Sequence, residues 1–418
     1  MPGSDVEVVV IGGGAAGIAA AQRLRRASID CLLVEARPRL GGRAWTITAS
    51  GVALDLGCGW LHSADRNPWV SVAEEQGASI DKTPPPWMRA GLEYEGFSRA
   101  EQQEFRAALD AFFERLEQAA QREPDVAAVT LLDPECRWNR LINSIFTFIS
   151  GGDLDRLSIK DLDRYADSGI NWRVVEGYGA IISGYGANLQ ATLNCEVRGI
   201  DHRGQRLLVE TSKGAVAADQ VIVTVPSALI ASERLRFTPA LPAKVRAAGG
   251  LPLGLADKLF MSLDRAEEFE NNVRLFGRTD SGGTGGFHFR PFGRPMIEGY
   301  FAGKLASDLE ASGDGAFFDF ALLQLTAVLG SEFAKRLKPI RVHRWGHDPF
   351  ALGSYSFAVP GSADCRAVLA EPVDDRLFFA GEACSKHDFS TAHGAWHTGV
   401  AAADGVIAVR QAAQRRIS

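Results

Sequence analysis

The run Val8-Val9-Val10-Ile11-Gly12-Gly13-Gly14-Ala15-Ala16-Gly17 constrains this chain more than any other segment. Successive branched apolar residues read as a strand buried on both faces. The glycines then read as a tight turn that opens a helix, and Cys31-Leu32-Leu33-Val34-Glu35 reads as a second strand ending on an acid. Gly12 permits the sharp turn, Gly14 lets backbone approach a pyrophosphate, and Gly17 lets the helix pack closely on the strand. The helix start at Ala15 and Ala16 offers free N–H groups and a positive dipole end to phosphates. Glu35 can accept ribose hydroxyls, with Ala36 and Arg37 beside it. Strand, turn, helix, strand and acid follow in order over about thirty residues, which points to a dinucleotide site. An ordinary βαβ unit is the alternative, but three glycines at a helix start cost stability without a ligand to require them.

The rest of the chain bounds the answer. At 418 residues it is long enough for two domains, with a net charge of −6 that argues against nucleic acid or an anionic membrane as partner. The six cysteines (31, 58, 136, 195, 365 and 384) make no CxxC pair and no zinc spacing, so no metal is expected and the cysteines read as reduced thiols of a cytoplasmic protein. The acidic start and glycine-broken apolar run do not read as a signal peptide, and no segment reads as a membrane span. Phe105, Leu109, Phe112, Phe113 and Leu116 have helical spacing within 98–121, and a second helix is expected over 139–149. From Glu176-Gly177-Tyr178-Gly179-Ala180 onward the texture turns to strands, including 195–201, 207–211, 220–226, 258–263, 286–290 and 295–300. A helix is expected through 317–329, a strand at 376–380 and a last helix from Thr391. No internal repeat is visible.

The pair Gly41-Gly42 before Arg43 resembles the second signature of FAD-binding oxidases, where the glycines pass beside the phosphates and the arginine contacts them. The resemblance widens at 6–62, 172–226 and 341–405, notably in Arg344-Trp345, Gly353-Ser354-Tyr355-Ser356-Phe357, Gly381-Glu382 and Ser390-Thr391-Ala392-His393-Gly394. On these segments the chain resembles the flavin-dependent amine oxidase family, which includes monoamine oxidases, polyamine oxidases and flavin-type histone lysine demethylases, and it is nearest the polyamine oxidase branch. The resemblance implies an α/β fold: a discontinuous Rossmann-like FAD-binding domain (1–82, 173–248 and 363–418) and a second α+β substrate-binding domain. A mainly helical insertion (83–172) and a mixed sheet (249–362) would form that second domain.

It also implies site residues. Gly57, Cys58, Gly59, Trp60 and Val197 would line the cofactor, with Val197 at the adenine end. Gly381 and Glu382 would hold the ribityl–phosphate part, Thr391 and Ala392 would offer helix N–H groups to the pyrimidine edge, and Trp345 would pack near the ring. Lys258 falls where the family places a lysine linked through water to flavin N5, and Tyr355 where it places one wall of an aromatic cage for the amine. Thr391 stands at the other wall, Trp60 and His62 border the substrate channel, and Ser354 replaces the cysteine that binds flavin covalently in monoamine oxidases. FAD is therefore expected to be non-covalent. Carboxylates for a cationic substrate are expected among Asp153, Asp155, Glu176 and Glu298.

The implied reaction is loss of a hydride equivalent from the carbon beside a neutral amine, hydrolysis of the imine, and reoxidation by O2 to give hydrogen peroxide. A polyamine or other secondary amine is the first substrate reading and a primary monoamine the second. Alternatives are an L-amino acid, with Arg89 the nearest candidate for a carboxylate clamp, or desaturation of a large apolar substrate. The partners are then a small amine and O2, with the chain a monomer or homodimer.

Overall fold

The computed structural model describes residues 5–88, 97–279 and 283–417. Its organising element is the strand Asp5–Ile11, whose Val8, Val9 and Val10 are completely buried. It pairs in parallel with Cys31–Val34 on one side and Gly214–Val223 on the other, so Val10 faces Leu33 and Ile222. The eight-stranded sheet built around it draws strands from three separated stretches of chain, ending with Leu377–Phe379 in parallel on Val221–Val223. The helix Ala15–Arg26 packs against the final helix Ala392–Ile417 on one face of this sheet.

A second sheet is antiparallel throughout, in the order Val273–Phe276, Gly286–Phe289, Met296–Ala302, Ala256–Leu263, Leu337–Val342. Its apolar face packs on the helices Gly303–Ser312 and Asp314–Leu329 through Phe301, Phe317 and Leu325. The register sets Lys258 opposite Tyr300. The helices Arg99–Ala120, Asn139–Ser150 and Ile159–Arg164 bury Phe112, Leu141, Phe146 and Leu157 in a separate core. The first of these helices opens on a capping box, with Ser98 Oγ accepting from Glu101 N and Glu101 accepting from Ser98 N.

Several local expectations change. Glu176–Ala180 does not open a strand: Tyr178–Tyr185 is a helix. Its N-terminus is capped from a distance, with Asp55 Oδ2 accepting from Tyr178 N (3.0 Å) and Oδ1 from Gly179 N (3.2 Å). A glycine-rich run has poor helix propensity, and no local residue announces such a cap. The strand expected at 220–226 begins at Gly214 and stops at Val223, because its first half pairs antiparallel with Leu207–Thr211. Cys195 precedes its strand, and its N–H donates to Glu35 O (2.8 Å).

Candidate active site

The strand ends and the second sheet enclose a continuous cavity of about 1140 Å³, larger than the ~300–1000 Å³ of most small-ligand pockets. Its walls include almost every residue singled out in the sequence: Gly12, Gly14, Ala15, Ala16, Glu35, Ala36, Arg37, Gly41, Gly42, Arg43, Gly57, Cys58, Gly59, Trp60, His62, Val197, Lys258, Trp345, Tyr355, Gly381, Glu382, Thr391 and Ala392. Gly17 is not on the wall. A Cβ there would lie 1.8 Å from Gly12 O, so this glycine permits helix and turn to touch.

One end of the cavity is lined by bare backbone. Gly41 N donates to Gly13 O (2.8 Å), and a Cβ on Gly42 would approach Gly14 Cα to 3.1 Å. Gly12, at φ +104°, has no room for a side chain beside Thr224. Glu35 Oε2 accepts from Gly13 N (2.6 Å) and Oε1 from Arg37 N (2.8 Å), which fixes the carboxylate at the strand end. A groove of glycine backbone, a helix N-terminus and a fixed acid fits a dinucleotide. Beyond it, Gly57 sits under Trp345, and a Cβ there would meet Arg43 O at 1.7 Å.

A buried chain of charges braces this groove. Arg43 Nη1 donates to Glu382 Oε1 (2.8 Å) and to Ser354 O (2.8 Å). Glu382 Oε2 accepts from Ser356 Oγ (2.6 Å) and Ser390 N (3.0 Å), and Arg366 Nη1 donates to the same Ser356 hydroxyl (3.0 Å). Arg366 then pairs with Asp161 through two bonds of 2.7 and 2.8 Å. The Glu382 carboxylate is thus turned into protein. Burial pushes its pKa up, but Arg43, Ser356 and Arg366 outweigh that and hold it below the usual range. Thr391 Oγ1 donates to Asp388 O (2.6 Å) and accepts from Gly394 N (2.9 Å), so it caps the final helix at the cavity wall.

At the far end, Lys258 Nζ donates to Asp55 O (2.9 Å) and lies 5.8 Å from the centre of the Tyr300 ring. Burial lowers its pKa, partly offset by Glu298 and Asp55. Tyr355 donates to Phe148 O (2.6 Å), and Trp345 Nε1 donates to Leu56 O (3.0 Å). Asn171 Nδ2 donates to Gly169 O (3.1 Å), which turns its Oδ1 toward His62 Nδ1 (2.6 Å). Burial lowers the His62 pKa, so the network assigns a neutral ring with Nδ1–H and a lone pair on Nε2.

The carboxylates named from sequence do not reach the cavity. Glu298 is buried against Arg173 (2.8 Å) and accepts from Tyr300 O–H (2.6 Å). Burial raises its pKa, but Arg173, His288 and Lys258 win and bring it to about 2. Asp153 caps Lys304 N (2.8 Å), Glu176 accepts from Ser79 N (2.9 Å), and Asp155 is exposed. Other acids line the outer arm instead: Asp110, Glu114 and Glu117 from the long helix, with Asp163 and Asp167. The first three recur at helical spacing, a signal present in the sequence that reads equally as a solvated face. Tyr300 and His288, also on the wall, carry no local sign of their role. Arg89 lies outside the described residues.

A sequence model of flavin containing amine oxidoreductases matches residues 15–407. Polyamine oxidase 4 of Oryza sativa subsp. japonica is 30% identical over 437 residues, spanning 96% of this chain and 88% of that protein. Probable polyamine oxidase 4 of Arabidopsis thaliana is 30% identical over 433 residues, spanning 94% and 86%. Lysine-specific histone demethylase 2 of Homo sapiens is 24% identical over 440 residues, spanning 96% of this chain and 53% of that protein. Among solved structures, a putrescine oxidase double mutant superposes with a TM-score of 0.78 at 18% identity over 97% of this chain and 99% of that one, a likeness of fold. Matched along nearly its whole length and carrying a groove that fits FAD beside a buried lysine, the chain belongs to the flavin containing amine oxidoreductase family and is an FAD-dependent oxidase of amines.

Proposed function

We propose that the substrate is a polyamine or a related secondary amine, with O2 as final acceptor and hydrogen peroxide as product. The observation that carries this reading is the row Asp110, Glu114 and Glu117 along one helix of the cavity wall, with Asp163 near enough to Glu117 to feel its charge. None of these four forms an ion pair among the described residues, and burial together with Glu117 raises the Asp163 pKa, partly offset by Arg164. Such a concentration of negative charge, exposed at the cavity wall, favours a ligand with a second positive centre distant from the oxidised carbon. The relatives at 30% identity, whose names are polyamine oxidases, support the same class.

When bound, FAD supplies the acceptor for the hydride equivalent. The chain's own residues do the rest. Tyr355 and Tyr300 present aromatic surface to an amine, and His62 Nε2 offers it a lone pair. Lys258, buried and fixed on Asp55 O, holds a proton donor at the inner wall. Trp345, Phe148 and Phe287 exclude water from that wall. The roles of Lys258, Tyr355, Trp60, His62 and Thr391, and of the cofactor residues, are part of this proposal.

A second reading is a monoamine bearing an apolar group. It is favoured by Trp87, Phe113 and Ile149, which line the same arm yet remain exposed. Trp87 packs edge-on to Trp60 with centroids 4.6 Å apart. Anaerobic mixing of the FAD-loaded protein with spermine, a monoamine and an L-amino acid separates these cases. We expect spermine to bleach the flavin absorbance fastest. Bleaching by the monoamine alone would overturn the polyamine reading.

A further inference from the structure

We propose that Asp257, Glu310 and His347 form a proton path between the wall of the catalytic cavity and solvent, with one proton shared between the two carboxyl groups. Amine oxidation sets the need for such a path. An amine arrives as an ammonium ion and must shed a proton before it can lose a hydride equivalent. Reduction of O2 to peroxide takes two electrons and two protons, of which the transferred hydride carries one. Each turnover therefore moves one proton out of the cavity and one in.

Asp257 belongs to the cavity wall beside Lys258 and is 1% exposed, and Glu310, on the helix behind it, is 3% exposed. Asp257 Oδ1 accepts from Trp345 N (3.1 Å), whereas its Oδ2 has no donor among the described residues. Glu310 Oε1 accepts from Gly346 N (2.8 Å), and Oε2 meets His347 Nδ1 at 2.7 Å. The two carboxyl groups are held side by side, because they accept from the consecutive N–H groups of Trp345 and Gly346. Neither has a lysine or arginine counter-ion among the described residues. Arg344, the nearby cation, gives Nη1 to Glu310 O (3.3 Å) and Nε to Asp314 (2.7 Å), and its charge lowers Asp257 by less than burial and Glu310 raise it.

Two adjacent buried carboxylates with no lysine or arginine paired to them resist ionising together while His347 is neutral. A proton between them supplies the donor that Asp257 Oδ2 lacks. The electrostatics agree: burial and then Glu310 raise Asp257 well above the usual carboxyl range. Lys258 turns its amine to Asp55 O, and Tyr355, whose hydroxyl is held by Phe148 O, feels Asp257 as a further raising influence after burial. His347 completes the path, because its side chain is 57% exposed. A proton taken from water at Nε2 releases the Nδ1 proton to Glu310, the shared proton moves to Asp257, and Asp257 passes it into the cavity. The reverse sequence carries a proton out. No electron moves.

The test uses the FAD-loaded protein and two readouts. The infrared difference between wild type and Glu310→Gln, with Asp257→Asn as a second variant, should show at neutral pH one carboxylic-acid C=O band that shifts in D2O. Absence of that band overturns the proposal. His347→Ala changes an exposed side chain, so folding is not at issue, and should slow the proton-dependent half-reaction by about tenfold. Added imidazole should restore the rate and wild type should gain nothing from it. An unchanged rate, or a loss that imidazole does not repair, overturns the path. The infrared band needs no substrate, so its result stands apart from which amine is oxidised.

Discussion

Lys258 is the residue on which the proposed chemistry most depends. An ammonium group on a residue only 9% exposed is costly to bury, and one backbone oxygen at 2.9 Å is a sparse set of partners. Lys258→Met should slow either flavin reduction or flavin reoxidation by about tenfold or more, as rapid mixing of each half-reaction would measure; equal rates in both would remove the residue from the mechanism. The buried pair Arg173–Glu298 should govern acid stability instead. Glu298 is depressed from 4.5 to about 2. Its contribution is therefore complete above 4.5 and disappears as pH falls from 4.5 toward 2. Urea unfolding at about pH 7 and about pH 3 should show a large loss for wild type and a smaller loss for Glu298→Gln, which cannot titrate. The variant starts less stable, because Arg173 is left buried without its counter-charge.

Among elements, the short helix Ile159–Arg164 has an importance out of proportion to its length. Asp161 ties it to Arg366, and through Ser356 to the Glu382–Arg43 bracket under the cofactor groove. Arg366 is also sandwiched on Phe389, 3.8 Å from the ring centre. Removing Asp161 leaves a fully buried guanidinium unpaired, so Asp161→Ala should cost about 3–5 kcal/mol in unfolding free energy. FAD retention should fall with it, as measured by flavin absorbance after gel filtration. The helix Tyr178–Tyr185 makes the same point more modestly. Its cap is Asp55, on a strand far away in sequence, and Asp55→Ala should cost about 1–2 kcal/mol.

At the scale of the molecule, two sheets meet across one cavity, and the proposed reaction draws on both. The first sheet supplies the groove and the second supplies Lys258 and Tyr300 on paired strands. The rate of flavin reduction should rise with pH as the bound amine loses its proton; a flat profile between about pH 6 and about pH 10 would exclude a neutral amine as reductant. Ser354 shares two hydrogen bonds with Ala256, of 2.8 and 3.1 Å, and has no sulfur to bond the ring. Acid precipitation should release all of the FAD into the supernatant. Yellow colour retained in the pellet would contradict non-covalent binding.

The sequence by itself determined the cofactor groove. Gly12, Gly14, Glu35, Gly41 and Gly42 lie close along the chain, and short-range geometry turns their spacing directly into shape. It also marked Lys258, because a lysine inside an apolar strand is conspicuous without any partner in view. Tertiary structure alone decided which charges line the cavity. Glu298 is withdrawn by Arg173, 125 positions away, while Asp110, Glu114 and Glu117 reach the cavity wall only because of where their helix packs. Electrostatic role depends on burial and on counter-ions brought from distant chain, and neither is encoded at the position itself.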